Sequence, residues 1–352
     1  MPHSTIPRPG TPEVMPTFPP HLPEAPIQRI SLERLLNGDS AAEAELWAAC
    51  STHGFFYLDC TTCDTGREMV SAADELERLS HAAFRLPAEV KESVAMAKWR
   101  TLFGYKGPGI MAKHDPHQRR DVGEFWNVSK DDVLGQSEQP IPYPALLQDA
   151  RPVFEGFMRA AHGVGLAVLG LLAGRLGIAP EELAARHRLA GRSGDHVRLT
   201  YGPGDPAEAE RQTARSEAET KITTFAHTDF GTVTLLFNWL GGLQIEDGAT
   251  GAWQWVRPLP GHAICNLGDA MREFAGGRVA SGKHRVVAAP GSQAAYDRYS
   301  VVYFVRPEDD VVLEDLTPGA PRKRESERWT AGKWIDERSR AMGNTIKKRD
   351  DE

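Results

Sequence analysis

Two periodicities divide the chain. Up to about residue 190, apolar side chains recur mostly three and four apart; beyond residue 196 they fall in short β-forming runs separated by Gly and Pro. A short strand is expected at 27–32, then a helix over 41–52 capped by Ser40, then an aromatic β-run at 54–58 after His53 as the helix C-cap. Met69, Ala72, Leu76 and Leu79 predict a helix over 65–85, and a shorter one starts at Pro87. Residues 99–109 read as irregular and aromatic, and 129–143 as a connector. Phe154, Phe157, Ala161, Val164 and Val168 give a broad apolar face to a long helix over 152–177. Its most apolar stretch, 164–173, is too short to span a bilayer and reads as buried core. Strand-like runs follow at 196–201, 232–237, 243–246, 252–256, 262–266, 285–289, 299–305 and 311–314. Eight such runs with Gly and Pro turns predict an α+β fold with a jelly-roll (double-stranded β-helix) core, the N-terminal helices and the long helix preceding it as supporting elements. Residues 202–220 read as a charged insertion, and 329–340 as a terminal helix with a solvated face.

The expected organisation is a disordered, Pro-, Ser- and Thr-rich arm over 1–25, a helical and β region with pocket loops over 26–190, the catalytic jelly roll over 191–320, and a C-terminal helix and tail over 321–352. Residues 26–340 read as one catalytic unit. Apolar content of 41% and charged content of 25% in 352 residues are those of a globular protein. A net charge of −7 without a long basic run argues against a nucleic-acid partner. The first residues have no apolar h-region, so no secretory signal is expected, and no membrane partner. Cys60 and Cys63 form a lone Cys-x-x-Cys, read with Cys50 and Cys265 as reduced thiols in a cytoplasmic protein. Monomer and homodimer both remain open.

Chemistry concentrates in the β half. His227-Thr-Asp229 closes a β-like run, and period-two geometry lets residues i and i+2 share a face. Two side chains hold a labile metal poorly, and His284, at the start of another β-like run, is the candidate third ligand. Two imidazoles and one carboxylate leave three positions open on an ion, the arrangement of non-haem Fe(II) oxygenases. Zn2+ accepts the same donors with water, so a zinc hydrolase is the competing reading. His114-Asp-Pro-His117 lacks flanking apolar alternation and reads as a polar surface loop, with a loop that covers the pocket as the alternative. Arg298-Tyr-Ser300 puts a guanidinium fork beside a hydroxyl on one strand face, suited to a carboxylate end-on. A hydrolase has no need of that anchor.

The His-x-Asp at 227 and 229, the distal His284 and the Arg-x-Ser at 298 and 300 together resemble the iron(II)/2-oxoglutarate-dependent oxygenases, in the branch that resembles isopenicillin N synthase. The resemblance covers about residues 26–340. It implies Fe(II) on His227, Asp229 and His284, with 2-oxoglutarate and O2 as co-substrates and Arg298 and Ser300 on the far carboxylate. Tyr201 matches a tyrosine that hydrogen-bonds the co-substrate in the family, while Leu199 stands where some members carry Asn. Gly241-Gly-Leu-Gln244 and Asn266-Leu-Gly-Asp269 also match family patterns and read as structural turns. The implied reaction oxidises an unactivated C–H bond by hydroxylation, desaturation or ring formation, releasing succinate and CO2.

Phe103, Tyr105, Phe125, Phe230 and Phe304, with Trp99 and Trp126, are candidate walls of the substrate pocket. Arg198, Lys106 and Glu124 are candidate polar anchors. An aromatic wall with few charges favours a small, largely apolar or aromatic metabolite. Similar fungal and bacterial enzymes act on nucleobases and secondary metabolites, so a nucleobase-type oxygenase acting on a polar heterocycle is the alternative.

Overall fold

The computed structural model describes residues 16–109, 115–211, 219–321, 323–324 and 327–342. Twelve strands are found among them: β1 Gln28–Ser31, β2 Phe55–Asp59, β3 Gly104–Lys106, β4 Glu124–Ser129, β5 His196–Gly202, β6 Ile222–His227, β7 Val233–Asn238, β8 Leu243–Glu246, β9 Trp253–Trp255, β10 His262–Leu267, β11 His284–Val287 and β12 Arg298–Val305. They make a large sheet in the order β1-β2-β10-β7-β12-β5-β4-β3 and a small one in the order β6-β11-β8-β9. The double-sheet core expected from the strand spacing is therefore present.

The central strand β12 shows how sequence sets the layers. All eight of its residues are buried, as a strand covered on both faces must be. Tyr303 faces the long helix Arg151–Leu176, its ring 6.5 Å from that of Phe157, which also meets Phe237 of β7 at 5.9 Å. A Cβ on Gly165 of this helix would come within 2.7 Å of Val305, so a glycine permits the close approach. Arg298, Ser300, Val302 and Phe304 alternate with these residues and face the small sheet. Between the sheets, Phe55, Tyr57 and Ile264 pack on Leu243, Ile245 and Val256 as a second, smaller core.

The long helix begins with Pro152 in its first turn and ends at Gly177, whose φ of 72° is the left-handed conformation that glycine adopts most easily. At 26 residues it is long and apolar enough to cross a membrane, longer than the apolar stretch alone suggested. It is nevertheless the core helix, with twelve buried residues packed against β5, β7, β12 and the helix Asp64–Ala83. His53 caps the helix Ser40–Thr52 through its N–H to Ala49, and the four cysteines are free thiols.

Three expectations are corrected. Residues 311–314 form no strand; Leu313 N donates to Trp329 O and Ala331 N to Val311 O, pairing the segment only with the lead-in to the C-terminal helix Ala331–Ala341. The 99–109 segment read as irregular instead contributes β3 to the large sheet, which pairs with β4 as Phe125, Trp126 and Val128 of β4 pair in register with β5. Residues 16–25 of the supposed arm are ordered. They cover the exposed edge of β9: Trp255 N donates to Pro23 O and Ala25 N to Trp255 O, both at 2.8 Å, while Phe18 packs on Trp255. An edge strand offers unpaired backbone groups, and a Pro-rich segment is able to satisfy them. Residues 1–15 and 343–352, and 212–218 of the charged insertion, lie outside the described residues; Pro206–Arg211 of that insertion is helical.

Candidate active site

β6 ends at His227, and β11 begins at His284 directly opposite it in the antiparallel register. Asp229 follows in the turn into β7, so the carboxylate reaches the site from a loop and not from the strand. One ligand atom from each of the three residues lies within 4.8 Å of the others. The Nε2 atoms of His227 and His284 are 3.6 and 3.9 Å from Asp229 Oδ1. Each histidine donates its Nδ1–H to a carbonyl two residues earlier, His227 to Phe225 at 2.7 Å and His284 to Gly282 at 3.1 Å. That fixes the tautomer and leaves both Nε2 lone pairs turned to the shared centre. This donor set fits a divalent transition metal.

The surroundings prepare the ligands for a cation. Burial alone would raise the Asp229 carboxyl, but the bond to His227, the His284 imidazole and Asn266 outweigh it and hold it well below the usual carboxylate range. Burial, with the His227 ring beside it, pushes His284 down to about 4, keeping its imidazole neutral. Asp229 Oδ2 accepts from Thr234 Oγ1 at 2.6 Å and Asn266 Nδ2 at 2.7 Å, so Oδ1 alone faces the histidines. Sequence reasoning missed Thr234 and took the 266–269 segment only as a turn. Gly268 does pack on the ligand loop, where a Cβ would meet Gly231 O at 2.4 Å. Asp269 does more: its N–H donates to Asp229 O, and its carboxylate accepts from Thr228, Ser281 and Arg338. Arg338 lies on the C-terminal helix, whose face is thus partly committed to the metal loop, contrary to the solvated face expected of it.

Arg298 lies deeper on β12. Its Nε donates to Gly241 O at 2.7 Å, and its side chain is packed over Gly242, where a Cβ would come 2.9 Å from Nε. Residue 242 has φ of +119°, so glycine is required twice over, for conformation and for space. Arg298 is 4% exposed, and among the described residues its Nη2 has no hydrogen-bond partner. Burial pushes the guanidinium down to about 10. A buried cation with an unused donor fits one end of a dicarboxylate. Ser300 Oγ lies on the same face, hydrogen-bonded to Thr200 Oγ1 of β5.

Tyr201 is not brought to this site. Arg298 pairs with Gly202 and Ser300 with Thr200, so Thr200 and Gly202 are the β5 residues that share the inner face. Tyr201, one residue off, points to the helical side, stacks on Phe84 at 5.4 Å and donates to Asp297. Leu199, fully buried, faces that side as well. A slip of one residue in reading a strand inverts every side chain.

Beside the triad opens a cavity of about 640 Å3. Four of the six predicted substrate residues line it: Phe125, Phe230, Phe304 and Arg198, joined by Lys106. Phe103 and Tyr105 do not. Phe103 packs edge-on against His196 at 6.0 Å, and Tyr105 is buried behind the sheet on Trp126, its hydroxyl bonded to Glu124. Period two again decides, since Lys106 pairs with Phe125 on the inner face and Tyr105 with Trp126 on the outer one. Glu124 is held by Lys91, and Trp99 is 40% exposed at the surface. The wall also takes Ser339, Ala341 and Met342 of the C-terminal segment, and Asp115 and His117 of the polar loop. His114 of that loop lies outside the described residues.

The cavity is more cationic than expected. Arg198 lies between the rings of Phe125 and Phe304, 4.2 and 5.0 Å from their centroids, with Nε donating to Asn127 Oδ1. Arg306, which no motif had pointed to, also lines the cavity, 5.5 Å from the Phe304 ring.

Comparisons with known proteins agree with this geometry. Residues 194–307 match the 2OG-Fe(II) oxygenase superfamily, and residues 26–149 match the N-terminal region described as non-haem dioxygenase in morphine synthesis. A 2-oxoglutarate-dependent dioxygenase of Aspergillus fumigatus is 29% identical over 94% of this chain and 90% of its own length. Another, from Penicillium crustosum, is 30% identical over 73% of this chain and 75% of its own. Among solved structures, a Neurospora crassa protein in complex with alpha-KG and thymine superposes with a TM-score of 0.71 at 25% identity, covering 90% of this chain and 96% of that one.

Proposed function

Because the chain belongs to the 2OG-Fe(II) oxygenase superfamily, in its isopenicillin N synthase-like branch, and is a 2-oxoglutarate-dependent dioxygenase, we propose that it oxidises an unactivated C–H bond of a small metabolite held in the cavity beside the triad. The observation that carries the reading is the pairing of a three-ligand centre with a buried guanidinium whose Nη2 is unused. When bound, Fe(II) with 2-oxoglutarate and O2 supplies the oxidising power, with succinate and CO2 released.

The residues of the chain divide the remaining work. His227, Asp229 and His284 hold the ion on one side, and Thr234 and Asn266 restrain the carboxylate so that a single oxygen faces it. Arg298 takes the far carboxylate of 2-oxoglutarate, with the Ser300 and Thr200 hydroxyls beside it. Phe125, Phe230 and Phe304 exclude water from the space next to the ion and position the substrate's C–H bond. Hydroxylation is the simplest outcome; desaturation or ring closure requires a second hydrogen to be lost. The zinc-hydrolase reading of the triad falls with the family assignment. A polar heterocycle as substrate is the second reading, favoured by the Neurospora crassa structure in complex with thymine.

The test is anaerobic reconstitution of the full chain with Fe(II) and 2-oxoglutarate. A weak visible charge-transfer band is expected, and air should then release succinate. Absence of the band and of 2-oxoglutarate binding overturns the reading. Metabolites that shift the band identify the substrate.

A further inference from the structure

Arg306 is unaccounted for by the metal centre or by 2-oxoglutarate. It follows β12 directly, is 5% exposed and lines the cavity. Its backbone N–H donates to Asp195, but among the described residues its Nε and Nη1 have no hydrogen-bond partner. Gly194 and Gly231 make room for it, since a Cβ at either would come within 2.9 Å of its side chain. Arg198 projects from β5 toward the same ring, Phe304, on which His196 is stacked at 4.6 Å. His196 adds no charge: its Nδ1–H donates to Gly194 O, and burial first, then Arg306 and Arg198, push it well below its ordinary value. Burial likewise lowers both guanidiniums to about 10, and at Arg306 the more distant charges of Asp195, Asp229, Asp309 and Asp336 only partly offset it.

An unpaired buried guanidinium is expensive unless an anion completes it. We propose that Arg306 and Arg198 form an anion-recognition subsite in the substrate pocket, and that the substrate carries a carboxylate on an apolar or aromatic body. The carboxylate lies against the two guanidiniums and the body against Phe125 and Phe304. A carboxylate is preferred to a phosphate because the charges of Asp195, Asp309 and Asp336 already supply negative potential at Arg306, leaving room for one further charge and not for two. The inference rests on the oxygenase reading for the identity of the pocket, and it revises the largely apolar substrate that the aromatic residues had suggested.

The experiment uses the full chain, anaerobic, with Fe(II) and saturating 2-oxoglutarate so that Arg298 is occupied. The probes are phenylacetate, 3-phenylpropanoate and 4-phenylbutyrate, each with its matched primary amide, together with phenyl phosphate and thymine. Binding is read by the shift of the charge-transfer band and by melting temperature. At least one acid should bind about ten-fold or more tighter than its own amide. Arg306→Gln and Arg198→Gln should each erase that preference and leave 2-oxoglutarate affinity within about two-fold, since neither touches Arg298. Arg306→Met should melt higher than wild type without ligand, because a buried unpaired charge has been removed. Should Arg306→Gln misfold by circular dichroism, Arg198→Gln and Arg306→Met carry the test. The proposal is overturned if no acid binds better than its amide, if phenyl phosphate or thymine is preferred, if the preference survives in Arg198→Gln or Arg306→Gln, or if Arg306→Met melts lower. A missing band with no 2-oxoglutarate binding sinks the oxygenase reading instead, and the two failures are told apart.

Discussion

Arg298 opens β12 and Arg306 directly follows its last residue, and each brings a guanidinium into the interior with nitrogens that have no hydrogen-bond partner among the described residues. Both are about 95% buried or more, and both are lowered to about 10 by burial. Their settings differ. Among the described residues burial alone shifts Arg298, with no charged neighbour offsetting it. Arg306 lies close enough to four carboxylates to be partly compensated. One residue type at equal burial therefore meets two electrostatic environments, the difference on which the proposed division between two anions rests. The uncompensated end suits an obligatory dicarboxylate, and the compensated end a singly charged substrate. The length of the strand holds the two apart.

The largest expected effect falls on the centre between them. His227→Ala, Asp229→Ala and His284→Ala should each abolish succinate formation while the fold, measured by circular dichroism, persists, because His227 and Asp229 line a cavity, His284 faces them, and none belongs to the hydrophobic core. A His284→Ala enzyme that retains iron and full turnover would remove that ligand from the site. Next comes the Arg298 end. Arg298→Ala should weaken 2-oxoglutarate binding by about 2–5 kcal/mol, with Arg298→Lys intermediate because it keeps charge but loses the fork. Titration of the charge-transfer band in Arg298→Ala and Arg306→Met, side by side, sharpens the contrast: equal losses in the two would mean that the ends of β12 do not have separate tasks.

A smaller effect is expected where Asp229 is held. Asn266→Leu removes a donor from Oδ2 and should lower iron affinity about 10- to 100-fold, with 2-oxoglutarate affinity at saturating iron unchanged. Iron titration followed by the same band separates the two. The smallest effect is on stability. Burial pushes His187, behind the Arg306 end, down to about 4 in the folded chain. Between there and its unfolded value of about 6.5, the unfolded chain binds protons that the folded one excludes. Stability from this group is thus complete above about pH 6.5 and falls with decreasing pH, by up to about 1.4 kcal/mol per unit. Melting curves of metal-free protein from about pH 7.5 to 4.5 should show the decline, and a pH-independent melting temperature would contradict it. Neither guanidinium titrates in that window, so the Arg198→Gln phenotype should not depend on pH there.

Much of the core was legible in the sequence because its determinants are local. Ligand residue types, their placement beside β-forming runs and the turn glycines at 241 and 242 are properties of short segments; the ligand types picked out the three residues that the fold brings together, and the Arg-x-Ser spacing singled out Arg298 as a candidate anchor. Period two also predicted that Arg298 and Ser300 share a face. Tyr201 was expected at the co-substrate from the family resemblance, not from parity, and a position in the site is known only once the register with the neighbouring strand is known: Ser300 pairs with Thr200. Phe103 and Tyr105 were chosen as aromatics in a plausible segment, yet the pairing of β3 with β4 turned Tyr105 behind the sheet.

What only the tertiary structure decided is what depends on distant partners. Residues 16–25 have the composition of a free arm but are ordered by the open edge of β9. The mixed charge of the C-terminal helix reads as solvated until Arg338 meets Asp269 across 69 positions of chain. Arg306 carries no motif at all; its significance lies in the absence of a partner for its buried nitrogens among the described residues, and that is a property of the assembled surroundings. Sequence by itself determined which atoms were available for the chemistry and the period with which they alternate. Tertiary structure decided which of them face one another and which remain uncompensated, because desolvation and pairing arise only when separate segments are packed together.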